Sequence, residues 1–580
     1  MPDARRLVDA RLRVAFDEVE AGADPLLRPS DRADFQANGV LALAKRLGRV
    51  PLELAGEIVA RAELGDLCAA VEVSGPGFIN LTLADDIVAA DVAALADHPR
   101  LGVEQRVPGR TVVVDYSAPN VAKEMHVGHL RSTILGDALV RMLEFAGERV
   151  VRENHVGDWG TPFGMLIEHV LDLGEHEAVH ELSVGDLDTF YRQARQSFDA
   201  DVSFQERARR RVVLLQSGDE ETMRLWHVLV AQSIAYFDEV YAKLDVLLTD
   251  EDVVGESFYN EMLPEVVRDL QELGLLVEND GALCVFPPGF TNRHGDPLPL
   301  IVQKSDEGFG YAATDLAAIR DRVGRLGADV LLYVVGAPQA QHLEMCFAVA
   351  RLAGWLPDAV EAVHVAFGNV LGPDHKMFRS RGGDAVKLVD LVDEGVQRAG
   401  SAVAARNPDL EPAQRSAVAR MLGVGAVKYA DLSTDRTRDY VFDWDRMLAL
   451  EGNTAPYLQY AHARIRSIFR RAGNMADVAG AAEAATAPPR LGQPAERSLA
   501  MALVGFPEAV EGALGGWSPS RLCGYLFDLA STFTTFYEAC PVLASPDADT
   551  RRSRLMLADL TARVLAVGLG MLGIAAPDQM

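Results

Sequence analysis

Cysteine is scarce in this sequence. Only five cysteines occur in 580 residues, and no two of them form a Cys-x-x-Cys pair. Their spacing gives no sign of a disulfide framework or of a cysteine-rich zinc site, and it predicts a reducing, cytoplasmic location. The five residues are Cys68, Cys284, Cys346, Cys523 and Cys540.

Long apolar runs are also missing. Residues 1–20 carry charged side chains throughout and no unbroken apolar core, so they do not resemble a signal peptide. The most apolar stretch near the end, residues 564–576, includes three glycines and is shorter than the roughly 20 residues that a membrane helix needs. We therefore expect no membrane partner.

Positive charge is in deficit. The chain carries 56 lysines and arginines against 84 aspartates and glutamates, which gives a formal net charge of −28. That sum predicts repulsion of nucleic acids and anionic membranes unless basic residues are concentrated on one face. Hydrophobic residues make up 49% of the chain, and together with its length this predicts about three or four globular domains.

The two ends of the chain differ in the pattern of their apolar residues. Residues 1–105 combine helical periodicity with alternating strand patterns at 71–73 and 78–81, which predicts an α+β domain. Residues 406–580 show helical periodicity without a strand signal, which predicts an all-α domain.

The middle region, residues 106–405, alternates short apolar runs with helical patterns. The runs at 112–114, 331–335 and 363–367 suit buried strands of a parallel sheet. This alternation predicts an α/β domain of the doubly wound, Rossmann-like class. A charged helical segment at about 165–250 is predicted to be an insertion in that domain.

Two histidines, His126 and His129, lie where the first apolar strand leads into a helix. A helix N-terminus offers free backbone N–H groups and the positive end of the helix dipole, so it favours anions. Imidazole donors at this position would bind phosphate oxygens whose charge grows as an acyl-adenylate forms. Gly128 between them lets the backbone and a nucleotide approach closely. Both histidines are therefore candidate catalytic residues.

Two other roles are open to the same pair. The histidines could merely cap the helix, or they could bind a metal. A lone His-x-x-His pair is weak evidence for a metal site, because it lacks the glutamate of a zinc-protease helix and an evident third ligand. We expect no metal here.

The segment His126-Val127-Gly128-His129 resembles the His-Ile-Gly-His signature of class I aminoacyl-tRNA synthetases. Its surroundings, residues 117–120 and 128–133, resemble arginyl-tRNA synthetases in particular. The resemblance implies a class I Rossmann-like catalytic domain with a helical insertion, an N-terminal α+β domain that binds tRNA and a C-terminal all-α domain that binds the anticodon. It covers nearly the whole chain, and further matching segments are 154–160, 311–316, 367–372, 439–444 and 451–464.

One segment departs from the family pattern. Class I enzymes carry a mobile Lys-Met-Ser-Lys-Ser loop that holds the phosphates of ATP, and here residues 375–383 take its place. Lys376, Arg379 and Arg381 are all candidates for the phosphate contact, although a planar guanidinium differs from a point-like ammonium. The alternative is a basic surface loop, but two adjacent glycines would let the segment move. The resemblance also implies ATP contacts at His126, Gly128, His129, Met377 and Arg379.

Recognition of arginine requires carboxylates and an aromatic face, because a guanidinium is a planar cation with five donors. Tyr311 and Asp315 are four residues apart and would share one helix face. Glu256 could instead be an ordinary surface carboxylate. By resemblance, the residues at the amino-acid pocket are Asn120, Glu256, Tyr311, Asp315 and Gln339.

Four residues are candidates for contact with tRNA: Phe78, Asn80, Tyr457 and Arg464. Phe78 and Asn80 could offer stacking and an amide edge to an unstacked base, although Phe78 could instead simply belong to the core. Arg464 begins a stripe of arginines near aromatic residues, and RNA responds to the charge of such a face rather than to the sum over the chain. The stripe could also be an ordinary solvated face.

The resemblance implies an arginine–tRNA ligase, which makes arginyl-adenylate from L-arginine and ATP and transfers arginine to the 3′-terminal adenosine of tRNA(Arg), releasing AMP and pyrophosphate. We expect a monomer that uses ATP with Mg²⁺ as substrate and has no tightly bound cofactor. Two other classes remain open. A small-molecule adenylyltransferase shares the histidine loop but needs neither terminal domain. A catalytically silent RNA-binding paralogue would be expected to lose the histidines or the basic loop. The intact motif and the long helical C-terminus favour the ligase.

Overall fold

The computed structural model describes residues 4–183, 187–305, 308–378, 386–473 and 487–580. Its first elements are α1 (Ala4–Asp17), β1 (Leu27–Pro29), β2 (Phe35–Ala37), α2 (Val40–Leu47), α3 (Pro51–Ala62), β3 (Cys68–Ser74), β4 (Phe78–Leu83) and α4 (Asp85–Asp97). The strands form an antiparallel sheet in the order β1-β2-β4-β3. Ile79 and Leu81 of β4 are buried together with Leu54 and Ile58 of α3, as the predicted α+β unit requires.

The middle of the chain opens with a strand, a helix and a second strand. These are β5 (Thr111–Asp115), α5 (Val127–Phe145) and β6 (Arg149–Glu153). Five helices follow and form the predicted insertion: α6 (Pro162–Leu173), α7 (Glu175–Ser183), α8 (Leu187–Ala200), α9 (Val202–Gln216) and α10 (Glu220–Leu244).

Strands and helices alternate again after the insertion. The elements here are α11 (Leu263–Glu272), β7 (Val277–Asn279), β8 (Ala282–Val285), β9 (Leu300–Gln303), α12 (Tyr311–Gly324), β10 (Val330–Tyr333), α13 (Ala340–Leu352), β11 (Glu361–His364), β12 (Val370–Leu371) and α14 (Leu388–Arg406). Strands β7, β8 and β9 make a separate antiparallel sheet.

Four strands form one parallel sheet in the order β11-β10-β5-β6. Every residue of β5 is buried, as expected for a central strand covered on both faces. From β5 the chain passes to β6 on one side, and after the insertion it returns to β10 and β11 on the other. The loops after β5 and β10 therefore separate at the carboxyl edge of the sheet, where ligands bind in open α/β folds. The predicted Rossmann-like class is confirmed.

The strand predicted at 363–367 begins and ends earlier than its apolar run. The structure has it at Glu361–His364, and His364 uses Nε2 to contact the carbonyl of Val335 at 2.9 Å. Beyond it, Phe367 pairs only with Gly336, as an isolated bridge. The apolar side chains at the end of the run thus line a loop at the sheet edge rather than a strand.

In the last part of the chain, the described residues form helices and one short strand. Its elements are α15 (Pro412–Leu432), β13 (Tyr440–Val441), α16 (Trp444–Met447), α17 (Ala455–Ala472), α18 (Pro494–Val504), α19 (Phe506–Gly515), α20 (Pro519–Ala539) and α21 (Ala548–Met571). The predicted all-α class of the C-terminal domain is confirmed, and the short strand β13 belongs with the α/β region, because it pairs in parallel with β12. Two residues are too few to produce a visible alternation of apolar and polar side chains.

Helix α15 packs closely on α14, across the predicted boundary between residues 405 and 406. Gly423 permits the approach, because a Cβ atom there would lie 2.6 Å from the backbone of Val396. Lys428 of α15 is fully buried and donates from Nζ to the carbonyl of Leu244 at 2.9 Å. The start of the helical region is therefore built into the α/β region.

The N-terminal unit also contacts the helical C-terminal region directly. Arg497 of α18 donates to both carboxylate oxygens of Asp34 at 2.8 Å, to Asp85 at 2.7 Å and to the carbonyl of Leu83 at 3.0 Å. Four hydrogen bonds from one guanidinium hold the two ends of the chain together. Among the described residues, no helix combines the length and the apolar character needed to cross a membrane.

Candidate active site

His126 and His129 lie together at the N-terminus of α5, on the loop that leaves β5. Their ring centroids are 4.1 Å apart, and His126 is the residue that caps the helix. The Nδ1 atom of His126 accepts from the N–H of Gly128 at 3.0 Å, and Nδ1 of His129 accepts from the N–H of His126 at 3.1 Å. A side chain at position 128 would collide with the His126 ring, since a Cβ would lie 2.7 Å from Cε1.

These hydrogen bonds fix the tautomer of both rings. Because Nδ1 accepts a hydrogen bond in each, the proton is on Nε2, which can donate to a ligand. Loss of contact with water lowers the pKa of His126 and, to about 3, that of His129. Both rings are therefore neutral donors near pH 7, at the positive end of a 19-residue helix.

The segment that follows the basic loop, from Val386 to Leu388, lies beside this pair. The N–H of Val127 donates to the carbonyl of Val386 at 3.0 Å, and that of Leu388 donates to the carbonyl of Met125 at 2.8 Å. Within the loop, Phe378 stacks on Phe442 with a centroid distance of 4.8 Å. Lys376 and Met377 are exposed just before Phe378, whereas Arg379 and Arg381 lie outside the described residues.

Three loop segments run side by side at the carboxyl edge of the sheet. Asn120 pairs with Gly157, and the N–H of Glu256 donates to the carbonyl of Val156 at 3.1 Å. Gly157 leaves room for the Asn120 side chain, because a Cβ at position 157 would lie 2.3 Å from the Asn120 Oδ1. Asn120 and Glu256, both predicted to contact arginine, therefore flank the same segment.

Glu256 belongs to a group of neighbouring carboxyl groups. Burial, followed by the charges of Asp158 and Asp315, raises the pKa of Glu256 to about 7. Asp158 accepts hydrogen bonds from the backbone N–H and the hydroxyl of Ser257, at 2.8 and 2.6 Å. Negative charge concentrated in this way favours a cationic ligand. Sequence reasoning missed Asp158, although it lies within the matching segment 154–160.

Asp315, on α12, has a partner that the sequence analysis also missed. His342 of α13 lies with Nε2 2.5 Å from Oδ2 of Asp315, and the Sγ atom of Cys346 lies 3.6 Å from the same Nε2. The hydrogen bond with Asp315 raises the pKa of His342. His342 lies three residues after Gln339, a predicted pocket residue. That spacing was the only feature of the sequence that could have pointed to His342 as part of the site.

Tyr311 and Gln339 occupy the edges of this region. Tyr311 is the first residue of α12, is 77% exposed and precedes Asp315 by about one helical turn. Gln339 is exposed at the end of a short 3-10 helix, Ala337–Gln339, that leads into α13. The structure thus brings Glu256 and Asp315 together and leaves these two side chains open to solvent around them.

The predicted RNA-binding residues of the N-terminal unit lie on β4. Phe78 is half-buried at the strand's start. Asn80 is 7% exposed. Its side-chain Oδ1 accepts a hydrogen bond from Gln36 at 2.7 Å, and its side-chain Nδ2 donates one to Ser74 at 2.7 Å. The amide edge of Asn80 is therefore engaged within the sheet.

The predicted RNA-binding residues of the helical region lie on α17. Tyr457 is half-buried, with its ring 5.7 Å from that of Phe527, and the guanidinium of Arg464 lies 4.5 Å from the ring centre of Tyr537. Aromatic rings and an arginine thus share one surface. Two other arginines of the stripe are engaged near the C-terminus: Arg466 lies 3.0 Å from Asp559, and Arg470 donates to the carbonyl of Asp578 at 2.7 Å.

Three stretches of the chain match known protein families. Residues 92–444 match tRNA synthetases class I (R), catalytic domain. Residues 458–580 match the DALR anticodon binding domain, and residues 5–83 match the Arginyl tRNA synthetase N terminal domain.

Individual proteins resemble the chain along almost its whole length. It is 55% identical over 576 residues to the arginine–tRNA ligase of Thermobifida fusca (strain YX), covering 99% of this chain and 98% of that protein. The arginyl-tRNA synthetase of Plasmodium falciparum has a similar structure, with a TM-score of 0.84, 29% identity and coverage of 99% and 98% of the two chains. The arginyl-tRNA synthetase of Thermus thermophilus gives a TM-score of 0.80 at 26% identity, with coverage of 99% and 100%.

Proposed function

Because the chain belongs to the arginyl-tRNA synthetase family, we propose roles for its own residues in the reaction of that family. The chain is an arginine–tRNA ligase, which activates L-arginine with ATP to arginyl-adenylate and transfers arginine to the 3′-terminal adenosine of tRNA(Arg), releasing AMP and pyrophosphate. The reaction requires stabilisation of charge at the phosphates and recognition of a guanidinium.

Formation of the adenylate needs no nucleophile from the protein. The carboxylate of arginine attacks the α-phosphorus of ATP, and the bond to the bridging oxygen breaks as pyrophosphate leaves. The Nε2–H groups of His126 and His129, together with the N-terminus of α5, donate to the oxygens on which negative charge grows. Since both rings are neutral, they supply hydrogen bonds without gaining or losing a proton.

The basic loop supplies the remaining positive charge around the phosphates. Lys376, Arg379 and Arg381 are the candidates for this contact, while Gly128 and Met377 border the nucleotide. The position of the following segment supports this role. Val386, three residues after the loop, accepts a hydrogen bond from Val127, which lies next to the histidines. ATP is expected to bind as its Mg²⁺ complex, in which the metal offsets phosphate charge. We propose no resident metal or tightly bound cofactor for the reaction.

The arginine side chain binds to the carboxylate group at the carboxyl edge of the sheet. Asp315 and Glu256 are the counter-charges for the guanidinium, and Asn120, Tyr311 and Gln339 surround it. A planar cation with five donors can satisfy two carboxylates at once, which a single ammonium cannot do equally well. The charge of Asp315 contributes to the raised pKa of Glu256, which supports their proximity.

Transfer RNA contacts both terminal units in this proposal. Phe78 marks the contact of the N-terminal domain (1–105), and Asn80 supports it from within the sheet through its hydrogen bonds to Gln36 and Ser74. Tyr457 and Arg464 mark the contact of the helical anticodon-binding domain (406–580), with the catalytic domain (106–405) between the two. We further propose that the enzyme acts as a monomer in the cytoplasm, where its five free and buried cysteines would stay reduced.

One observation carries these assignments. A pair of neutral imidazole donors and a cluster of carboxyl groups lie at the same edge of one parallel sheet. The test is aminoacylation of purified tRNA(Arg) with labelled arginine, run beside ATP–pyrophosphate exchange. We expect arginine-dependent charging that falls in His126, His129 and Asp315 variants. Exchange with a different acid and no charging would indicate a small-molecule adenylyltransferase instead.

A further inference from the structure

Three different metal-ligating groups meet at the proposed arginine pocket. The Asp315 carboxylate comes from α12, and the His342 imidazole and Cys346 thiol come from α13, one turn apart. One ligand atom from each residue lies within 4.8 Å of the other two. Asp315 and His342 are half-buried and Cys346 is buried, so the group is partly open to solvent.

The spacing of these atoms suits a tetrahedral cation. Zinc bonds of about 2.0–2.1 Å to nitrogen and about 2.3 Å to sulfur separate the two ligand atoms by about 3.5 Å in a tetrahedral site. The His342 Nε2 and Cys346 Sγ atoms are 3.6 Å apart. The Asp315 oxygen, 2.5 Å from the same Nε2, is held there by a hydrogen bond and has to move outward by about 1 Å when a metal replaces the proton.

We propose that Asp315, His342 and Cys346 form an inhibitory binding site for zinc and chemically similar divalent cations, and that a bound cation excludes arginine. The exclusion rests on the proposed role of Asp315 as the counter-charge for the guanidinium. A thiolate, an imidazole and a carboxylate are a typical ligand set for zinc, and water can take the fourth position. On binding, the Cys346 thiol releases its proton to solvent. The proton between His342 Nε2 and Asp315 is also displaced, either to solvent or to Nδ1 of the same ring, and no electron is transferred.

Direct binding can be measured with cobalt as a spectroscopic substitute for zinc, using the full-length chain and a phosphine reductant. We expect a thiolate-to-cobalt absorption band in the near ultraviolet that disappears in Cys346→Ala and Cys346→Ser. The matched control is Cys284→Ala, which removes another buried cysteine, on β8, and should keep the band. Saturating arginine should abolish the band in the parent protein. A band that survives in both Cys346 variants, or no band at all, would refute the site.

Kinetics test the competition separately. Zinc should raise the apparent KM for arginine, without changing kcat, in ATP–pyrophosphate exchange run in the presence of tRNA(Arg). The activity of each protein is expressed relative to its own rate without zinc. Cys346→Ser should then need at least about tenfold more zinc than the parent for the same fractional inhibition, because one of three ligands is lost. Equal zinc sensitivity of this variant and the parent would overturn the proposal. If Asp315→Asn activates arginine normally, the arginine pocket is wrong, and the cobalt spectrum still decides on the metal site independently.

Discussion

Arg131, on the helix that begins at the histidine pair, donates from Nε to both carboxylate oxygens of Asp431 at 3.1 Å. The two residues are 300 positions apart, and both are buried. Arg131 also donates to the carbonyl of Arg438 at 2.9 Å and lies near the rings of Phe367 and Tyr440. This ion pair fastens α5 to α15.

Loss of this buried ion pair should destabilise the protein strongly. Asp431→Ala leaves the Arg131 charge buried without its counter-charge, and we expect the free energy of unfolding to fall by about 3–5 kcal/mol. The control is Asp393→Ala, which breaks an exposed pair with Lys243 and should cost less than about 1 kcal/mol. Urea unfolding followed by circular dichroism gives both values. Similar effects of the two substitutions would contradict the stabilising role assigned to the buried pair.

The histidine donors should act on the adenylation step. His126→Ala and His129→Ala should each lower the rate of adenylate formation by about 100- to 1,000-fold, because each removes a donor to developing charge. Their melting temperatures should change little, since a lost helix cap costs only about 1 kcal/mol. His176→Ala, which alters an exposed histidine of the insertion, serves as the control. If stability and activity fall in parallel, the pair only caps the helix.

Asp315 should determine the preference for a charged substrate. Asp315→Asn keeps the shape of the side chain and removes its charge, so kcat/KM for arginine should fall by about 100- to 1,000-fold or more. Citrulline, which has nearly the shape of arginine without its charge, and lysine should be poor substrates of the parent enzyme. Efficient charging with citrulline would show that the pocket does not select by charge.

Arginine binding should depend on pH through Glu256. Its pKa is raised to about 7, so the carboxyl group is mostly neutral at pH 6 and mostly ionised at pH 8. Only the ionised form attracts the guanidinium, and kcat/KM for arginine should therefore rise about tenfold across this interval. In Glu256→Gln, kcat/KM for arginine should stay low and should no longer depend on pH. Calorimetry in buffers of different ionisation enthalpy should detect the proton released when arginine binds. If kcat/KM of the parent enzyme does not depend on pH, Glu256 does not titrate in this way.

Affinity for tRNA should fall steeply with salt despite the overall negative charge. Phosphate contacts release counterions, so the logarithm of the binding constant should decrease linearly with the logarithm of the salt concentration. Arg464→Ala should weaken binding and reduce the slope by about one unit, the loss of one phosphate contact. Arg268→Ala, on the exposed side of α11, is the control and should leave the slope unchanged. Identical slopes for all three proteins would remove Arg464 from the interface.

Local patterns in the sequence predict much of this molecule. The run at 112–114 predicts the central strand, and the histidine motif predicts the start of α5, because both depend on neighbouring residues. The pairing of Asp315 with His342 and of Arg131 with Asp431 could not be predicted, since each contact is created by the packing of separate helices. For the same reason, the sequence did not show that a truncation at the predicted domain boundary, residue 406, would remove Asp431, the counter-charge of Arg131.

The four hydrogen bonds of Arg497 have a consequence for substrate selection. They join the N-terminal unit to the helical region without passing through the parallel sheet. The two surfaces proposed to contact tRNA are thereby held at a set separation. If tRNA contacts both surfaces as proposed, only an RNA whose two contact regions have the matching separation can reach both at once. The dimensions of the folded RNA then become a criterion of recognition alongside its nucleotides.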